Sequence, residues 1–220
     1  GQYSFYLHSD DRTDIAAMAT ISTISQPLRG EFIRTAATAG AVVYQVDARL
    51  PALIPVFFAG QLSAVRLCAV MALVSGTWSS LTGLPDEPEN GEAALPVSPE
   101  TEYQRRRYTL TLQNGRSGER VESVLTEASS RLRGDLLRNL IITGLALHTT
   151  APELPRLLAS MPVPPTSVSE LQALVQQMAG TADVNRAAAA VPDTPAASAA
   201  PVSGADTREI KKNMRRAFGD

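Results

Sequence analysis

LRGEFIRTAATAGAVVYQVDARLPALI, residues 28–54, is written a second time as LRGDLLRNLIITGLALHTTAPELPRLL, residues 132–158, at a constant offset of 104. Eight of the 27 positions are identical, among them Arg29 and Arg133, Arg34 and Arg138, Gly40 and Gly144, and Pro51 and Pro155. Ordinary composition gives roughly two such matches by chance. The remaining pairs keep their character, as Glu31 with Asp135, Phe32 with Leu136 and Val43 with Leu147 do. A repeat is therefore the first property to be explained.

Upstream of the first copy, QYSFYLH alternates, with Tyr3, Phe5 and Leu7 on one side and Ser4, Tyr6 and His8 on the other, the period of a half-buried strand. Ser9, Asp10 and Asp11 supply N-cap chemistry for a first helix whose apolar face is expected at Ile15, Met18 and Ile21. Ser25 as cap and Pro27 in the first turn open a second helix running to about Gln45. Gly40 falls in its middle, where glycine costs ~1 kcal/mol relative to alanine, so a close backbone approach is expected there. Arg49 to Phe58 reads as a short apolar helix or turn, and 61–75 as a further helix, apolar on more than one face and suited to burial against another unit.

Before the second copy the same order returns. RRRYTLTLQ alternates, with Tyr108, Leu110 and Leu112 inward and Arg107, Thr109, Thr111 and Gln113 outward. Here the offset is 105, so one residue was gained or lost in the turn that follows. A helix with Val121, Val124, Leu125 and Ala128 comes next, Ser129 or Ser130 caps the second organising helix, and 166–178 is one more short helix.

The chain thus divides into a first unit at 1–78, an acidic Pro-rich linker at 79–104, a second unit at 105–180, an Ala/Pro-rich disordered tether at 181–205 and a short helix at 206–220. The net charge of -2 hides an asymmetry: residues 80–102 hold six acids and no base, whereas 103–140 hold eight Arg and four acids. A lone Cys68 excludes a disulfide framework and fits a reducing cytoplasm. No signal peptide is recognisable, and Pro51, Pro55, Gln61 and Arg66 break the apolar run after Leu50 short of the ~20 residues a membrane span needs. The chain opens on Gly1 rather than Met, as a processed or tagged chain does.

Enzyme motifs are absent: there is no P-loop, no dinucleotide glycine pattern, no nucleophile elbow and no convincing carboxylate pair. Two His and one Cys cannot assemble a zinc-type site, and His148 reads as a helix-end or core residue; no metal and no cofactor is expected. The last segment, DTREIKKNMRRAF, reads as a short amphipathic basic helix with Ile210, Met214 and Phe218 at i, i+4 and i+8 among Lys211, Lys212, Arg215 and Arg216. That stripe suits a protein groove better than non-specific contact with DNA or an acidic surface.

A strand and two helices in about 45 residues cannot bury their own apolar face. Two such units do so by pairing their strands as an antiparallel ribbon and interlocking their helices, the ribbon-helix-helix fold. The expected class is therefore mainly α with a short two-stranded β ribbon: tandem ribbon-helix-helix units forming a pseudo-dimer, then short helices and a tail. The ribbon's solvent face is the kind that enters the DNA major groove.

TAGAVVYQVDARLPALI, its echo ITGLALHTTAPELPRLL, TSVSELQALVQQM and EIKKNMRRAF resemble the ParR/StbB plasmid-stability proteins, with the A-R-L-P or P-E-L-P corner the characteristic element. The resemblance implies a centromere-binding adaptor that links repeated plasmid DNA to a filament of an actin-like ATPase, ParM/StbA, in the bacterial cytoplasm. Members usually carry one unit and dimerise, so this chain departs by duplication. The implied base-facing positions are Ser4, Tyr6, His8, Arg107, Thr109, Thr111 and Gln113. Arg29 and Arg133 would assist phosphate binding at the organising helices' N-termini. Ile210, Lys211, Lys212, Met214, Arg215, Arg216 and Phe218 would dock on the filament.

Self-association on DNA and repression of its own operon are further implications, and an asymmetric footprint follows from the bias of charge towards the second strand. Plainer alternatives stand beside these. Tyr6 and His8 can be exposed strand residues without contacts, Thr109 and Thr111 favour strands on propensity alone, and Arg105–Arg107 can be a solvated linker end. Two other functions share the fold, a TraY-type relaxosome accessory protein and an antitoxin or repressor whose tail binds a protein.

Overall fold

The computed structural model describes residues 1–77 and 104–189. In the first copy, β1 (Gln2–His8) leads through Ser9, Asp10 and Asp11 into α1 (Arg12–Ser22), then a 3-10 turn at Gln26–Leu28 and α2 (Arg29–Val46). Two shorter helices follow, α3 (Leu50–Phe57) and α4 (Ala64–Ser75). The second copy repeats the series as β2 (Arg105–Thr111), α5 (Arg116–Glu127), α6 (Arg133–Thr150), α7 (Leu154–Ser160) and α8 (Val168–Ala189).

The two strands pair with each other inside one chain, antiparallel, with Gln2 opposite Thr111 and His8 opposite Arg105. This is the tandem ribbon-helix-helix pseudo-dimer, mainly helical with a two-stranded ribbon. Its core lies beneath the ribbon, where Phe5, Leu7 and Leu110 meet Ala17, Ile21, Val121, Val124 and Leu125 from the flanking helices.

At the centre α2 and α6 cross, and the repeated glycines explain how closely. A methyl group built on Gly40 would land on the backbone of Leu140, and one on Gly144 would land on the backbone of Ala36. Each helix thus lays its glycine under the other's main chain, which is the compensation that a mid-helix glycine requires. The units also exchange partners, α2 packing on α7 and α3 on α6. The Thr150 hydroxyl donates to the Leu62 carbonyl at 2.7 Å, and Gln172 of α8 donates to the Cys68 carbonyl of α4 at 3.0 Å.

The copies diverge where the turn lengths differ. Strands are offset by 105 (Tyr3 and Tyr108) but helices by 104 (Arg12 and Arg116), so the second turn is one residue shorter. In the first copy Asp11 caps α1 by accepting the Asp14 N–H at 2.9 Å. Asp14 itself, 1% exposed, accepts the His8 N–H at 2.9 Å and pairs with Arg138 of α6 at 2.6 Å. Burial pushes this carboxyl above its ordinary range, against the pull of the His8 amide and Arg138. The shorter second turn needs Gly115, at φ 134°, and Gly118, where any side chain would strike the Gln113 carbonyl. No carboxylate can stand there, so Arg34, the counterpart of Arg138, pairs with Glu31 on its own helix at 2.6 Å.

Several sequence-based expectations need correction. The inward face of α1 is Asp14, Ala16, Ala17 and Ile21, with Ile15 only half-buried, because Asp14 is drawn in by the His8 amide and Arg138. Neither Ser25 nor the Ser129–Ser130 pair caps its helix through a side chain; α2 and α6 open from the uncapped turns at Leu28 and Leu132. The last helix runs to Ala189 rather than ending near 178, across the expected start of the tether at 181, over a stretch ending in three alanines, the strongest helix former. Apart from Gln104, the linker at 79–104 lies outside the described residues, as do the tether beyond 189 and the helix at 206–220. Among the described residues no helix is long and apolar enough to cross a membrane.

Gly144→Ala is expected to cost about 3 kcal/mol, because backbone and not a pliable side chain must give way. Gly30→Ala, on the exposed first turn of α2 with only the Arg34 guanidinium nearby, should be neutral or gain up to ~1 kcal/mol. Urea unfolding of the full chain separates the two. By the same measurement Arg138→Ala should cost about 3 kcal/mol by stranding buried Asp14, whereas Arg34→Ala should cost under ~0.5 kcal/mol as an exposed pair.

Candidate nucleic-acid interface

Alternation along both strands turns one row of side chains inward and the other to solvent. The inner row is Tyr3, Phe5 and Leu7 on β1 against Leu110, Tyr108 and Arg106 on β2. Phe5 and Tyr108 stack with ring centres 5.2 Å apart. The Tyr3 hydroxyl donates to Glu122 of α5 at 2.9 Å, and burial, reinforced by that carboxylate, raises its phenol. Burial likewise raises the Tyr108 phenol, over which the Arg106 guanidinium sits 5.3 Å from the ring centre.

The outer row brings together Gln2 opposite Thr111, Ser4 opposite Thr109, Tyr6 opposite Arg107 and His8 opposite Arg105. Neither strand contains an acid. Six of the seven expected base-facing residues, Ser4, Tyr6, His8, Arg107, Thr109 and Thr111, share this face. Gln113 is exposed but lies two residues past the end of β2, in the turn whose carbonyl abuts Gly118.

Arg105 belongs to the same face and was missing from the expected set, although alternation counted back from Arg107 reaches it. Its guanidinium carbon lies 3.6 Å from the centre of the Tyr6 ring. Arg107 reaches across the ribbon as well: its Nε and Nη2 donate to the Ser4 hydroxyl at 3.2 and 3.0 Å. Each arginine is therefore held diagonally by a residue of the other copy.

The ribbon's two ends carry different charge. Beside His8 and Tyr6, a cleft of about 460 Å³ is lined by Asp10, Asp11, Asp14 and Asp135 with Arg138. Beside Gln113 and Asn114, a cleft of about 360 Å³ is lined by Arg34, Arg116 and Arg156 with Glu31. The two clefts thus differ, four aspartates and one arginine beside the end where Arg105 pairs with His8, three arginines and one glutamate beside the other.

Arg29 and Arg133 occupy equivalent places and do the same thing. Arg29 donates through Nε to the Ile24 carbonyl at 2.8 Å, and Arg133 to the Leu125 and Ala128 carbonyls at 3.0 and 3.2 Å. Both reach back to the end of the preceding helix, where carbonyls lack partners within the helix. Their first task is to hold the corner between the two helices of each unit. His148 meets Phe32 edge-on, with ring centres 5.0 Å apart, and its Nδ1 lies 3.2 Å from the Pro152 carbonyl, a helix-end role.

The family model described as "Plasmid stability protein" matches the chain twice, at residues 1–71 and 106–175, one match per copy of the repeat. No curated protein and no solved structure matches it.

Arg29→Ala and Arg133→Ala should each lower stability in the absence of DNA by about 1.5–3 kcal/mol, the range for a hydrogen bond to a charged group. Thermal unfolding of the full chain checks this, and losses of similar size are expected because each arginine holds the corresponding corner through two carbonyls.

Proposed function

The chain belongs to the plasmid stability protein family, and from that premise we propose that it is the DNA-binding centromere adaptor of a plasmid segregation system. In this reading the outer ribbon face enters the major groove of repeated plasmid DNA, and the terminal helix links the complex to an actin-like ParM/StbA filament. The observation that carries the DNA half is the acid-free outer face with Arg105 and Arg107 beside hydroxyls and an imidazole. Arginine to guanine, and hydroxyls to any base edge, are the pairings such a ribbon offers.

Because the halves of the ribbon differ, the bound site has no dyad symmetry. The cleft with Arg34, Arg116 and Arg156 offers the phosphate backbone an additional basic contact at the end away from Arg105. The filament half of the reading rests on the sequence of the tail, with Ile210, Met214 and Phe218 as groove anchors and Lys211, Lys212, Arg215 and Arg216 on acidic rims. Many chains on clustered repeats, associating side by side, would offer many weak tails to one filament tip, so that avidity replaces a single strong contact. Action is in the bacterial cytoplasm, on plasmid DNA, with no cofactor and no chemical step, and binding near its own promoter would repress the operon.

The duplication itself favours a second reading, a TraY-type relaxosome accessory protein, which shares the tandem arrangement but gives the tail no task. A ribbon-helix-helix antitoxin or repressor gives the tail a protein partner of a different kind.

Full-length chain and a chain ending at Ala205, each on plasmid DNA carrying the cognate repeats, should separate these in a pull-down and ATPase assay with the actin-like protein. The full chain is expected to bind filament and stimulate turnover, and the shortened chain to bind DNA alone. Equal behaviour of the two would remove the filament hook and bring the relaxosome or repressor reading forward.

A further inference from the structure

Resting on the reading of the ribbon as the DNA-binding face, we propose that the two copies divide the work there: Arg105 and Arg107 of the second copy read guanine, while Ser4 and Tyr6 of the first are positioning residues that aim them. The geometry of each contact separates the two roles. A guanidinium presents five N–H donors in one plane. Arg107 spends the edge formed by Nε and Nη2 on the Ser4 hydroxyl, at 3.2 and 3.0 Å. Its opposite edge, formed by Nη1 and Nη2, is the fork that matches guanine O6 and N7.

Arg105 is held in another way with the same result. The Tyr6 ring, 3.6 Å from the guanidinium carbon, attracts the cation through its π face. A contact made through the face spends none of the in-plane donors. Both arginines are therefore fixed in direction while keeping a donor edge for a base.

The same contacts commit Ser4 and Tyr6 to holding the arginines. The Ser4 oxygen already accepts two N–H groups, and the Tyr6 ring face is covered. On β2 the counterparts of Ser4 and Tyr6 are Thr109 and Thr111, neither of them aromatic, and no arginine stands on β1 to be aimed. The division of labour is thus one-directional, from first copy to second.

The spacing gives the target. Arg105 and Arg107 are two residues apart on one strand, about 6.7 Å, which equals two base-pair steps of roughly 3.4 Å each. The chemistry recognised is therefore two guanines separated by one base, in one half of the site only.

The test begins with a pool of random-sequence duplexes selected on the full chain, followed by affinities for the selected duplex, for an unselected duplex, and for versions in which 7-deazaguanine removes each guanine N7. Arg105→Ala and Arg107→Ala are expected to lose more than about tenfold in affinity, each with loss of discrimination at one guanine. Ser4→Ala and Tyr6→Leu should weaken the selected duplex by about three- to tenfold, leave the unselected duplex unchanged, and reduce the 7-deazaguanine penalty at the guanine read by the arginine each one holds. Tyr6→Phe, which keeps the ring, should behave as the native chain. Thermal unfolding of each variant shows that the fold is retained.

If Ser4→Ala and Tyr6→Leu keep full affinity and full guanine discrimination, the positioning roles are wrong while DNA reading stands. Loss of discrimination at some other base would make Ser4 or Tyr6 a reader and equally overturn the proposal. Failure of the native chain to enrich any sequence would overturn the DNA-binding reading itself.

Discussion

Two backbones lie in contact where Gly40 passes Leu140 and Gly144 passes Ala36. The glycines stand at the same place in the two copies, so the crossing is reciprocal and lies on the pseudo-twofold relation between them. A side chain on either would lift the helices apart along their whole length. That separation would carry away Leu140, Ile141 and Val42 from the centre of the core, and with them the helices that support each strand. The ribbon pairs because the crossing brings its two strands within hydrogen-bonding reach, and an isolated two-stranded hairpin has little stability of its own.

Around this symmetric centre the periphery has drifted. The turn is one residue shorter in the second copy, and Gly118 stands where the first copy has the buried Asp14 carboxylate. One arginine of the repeat now bridges the two units while its counterpart serves a pair on its own helix. The same drift touched the ribbon's outer face, where one strand holds the arginines and the other holds the groups against which they rest. A fold built from two copies of one unit tolerates this because strand pairing and helix crossing depend on main chain and on the glycines, Gly40 and Gly144, that both copies share.

Much of this was legible in the residues. Strand alternation placed the inward and outward rows, the offset of 105 against 104 located the altered turn, and an uncompensated glycine in a helix announced a close crossing. What escaped were pairings between residues far apart in sequence. Nothing near Asp14 signals that it will be buried against an arginine 124 positions away. The carbonyl contacts of Arg29 and Arg133 escaped as well, because their partners belong to a corner that exists only once the two helices turn. Arg105 was lost in a run of three arginines, since charge alone does not mark which of them faces which side. The end of α8 was misplaced because alanine-rich sequence suits a tether and a helix equally well until composition is weighed as propensity.

Holding both strands of the ribbon in one chain also changes how the protein answers to its own abundance. Where the ribbon is made by two separate chains, assembly is second order, and at low copy number the folded form is diluted away. Here closure is unimolecular, because both strands belong to one chain and their effective concentration does not depend on the amount of protein. Occupancy of a single ribbon site then follows the first power of chain concentration. Halving the concentration of chains halves the supply of binding-competent ribbons, where two separate chains far below their dimer dissociation constant would have it quartered.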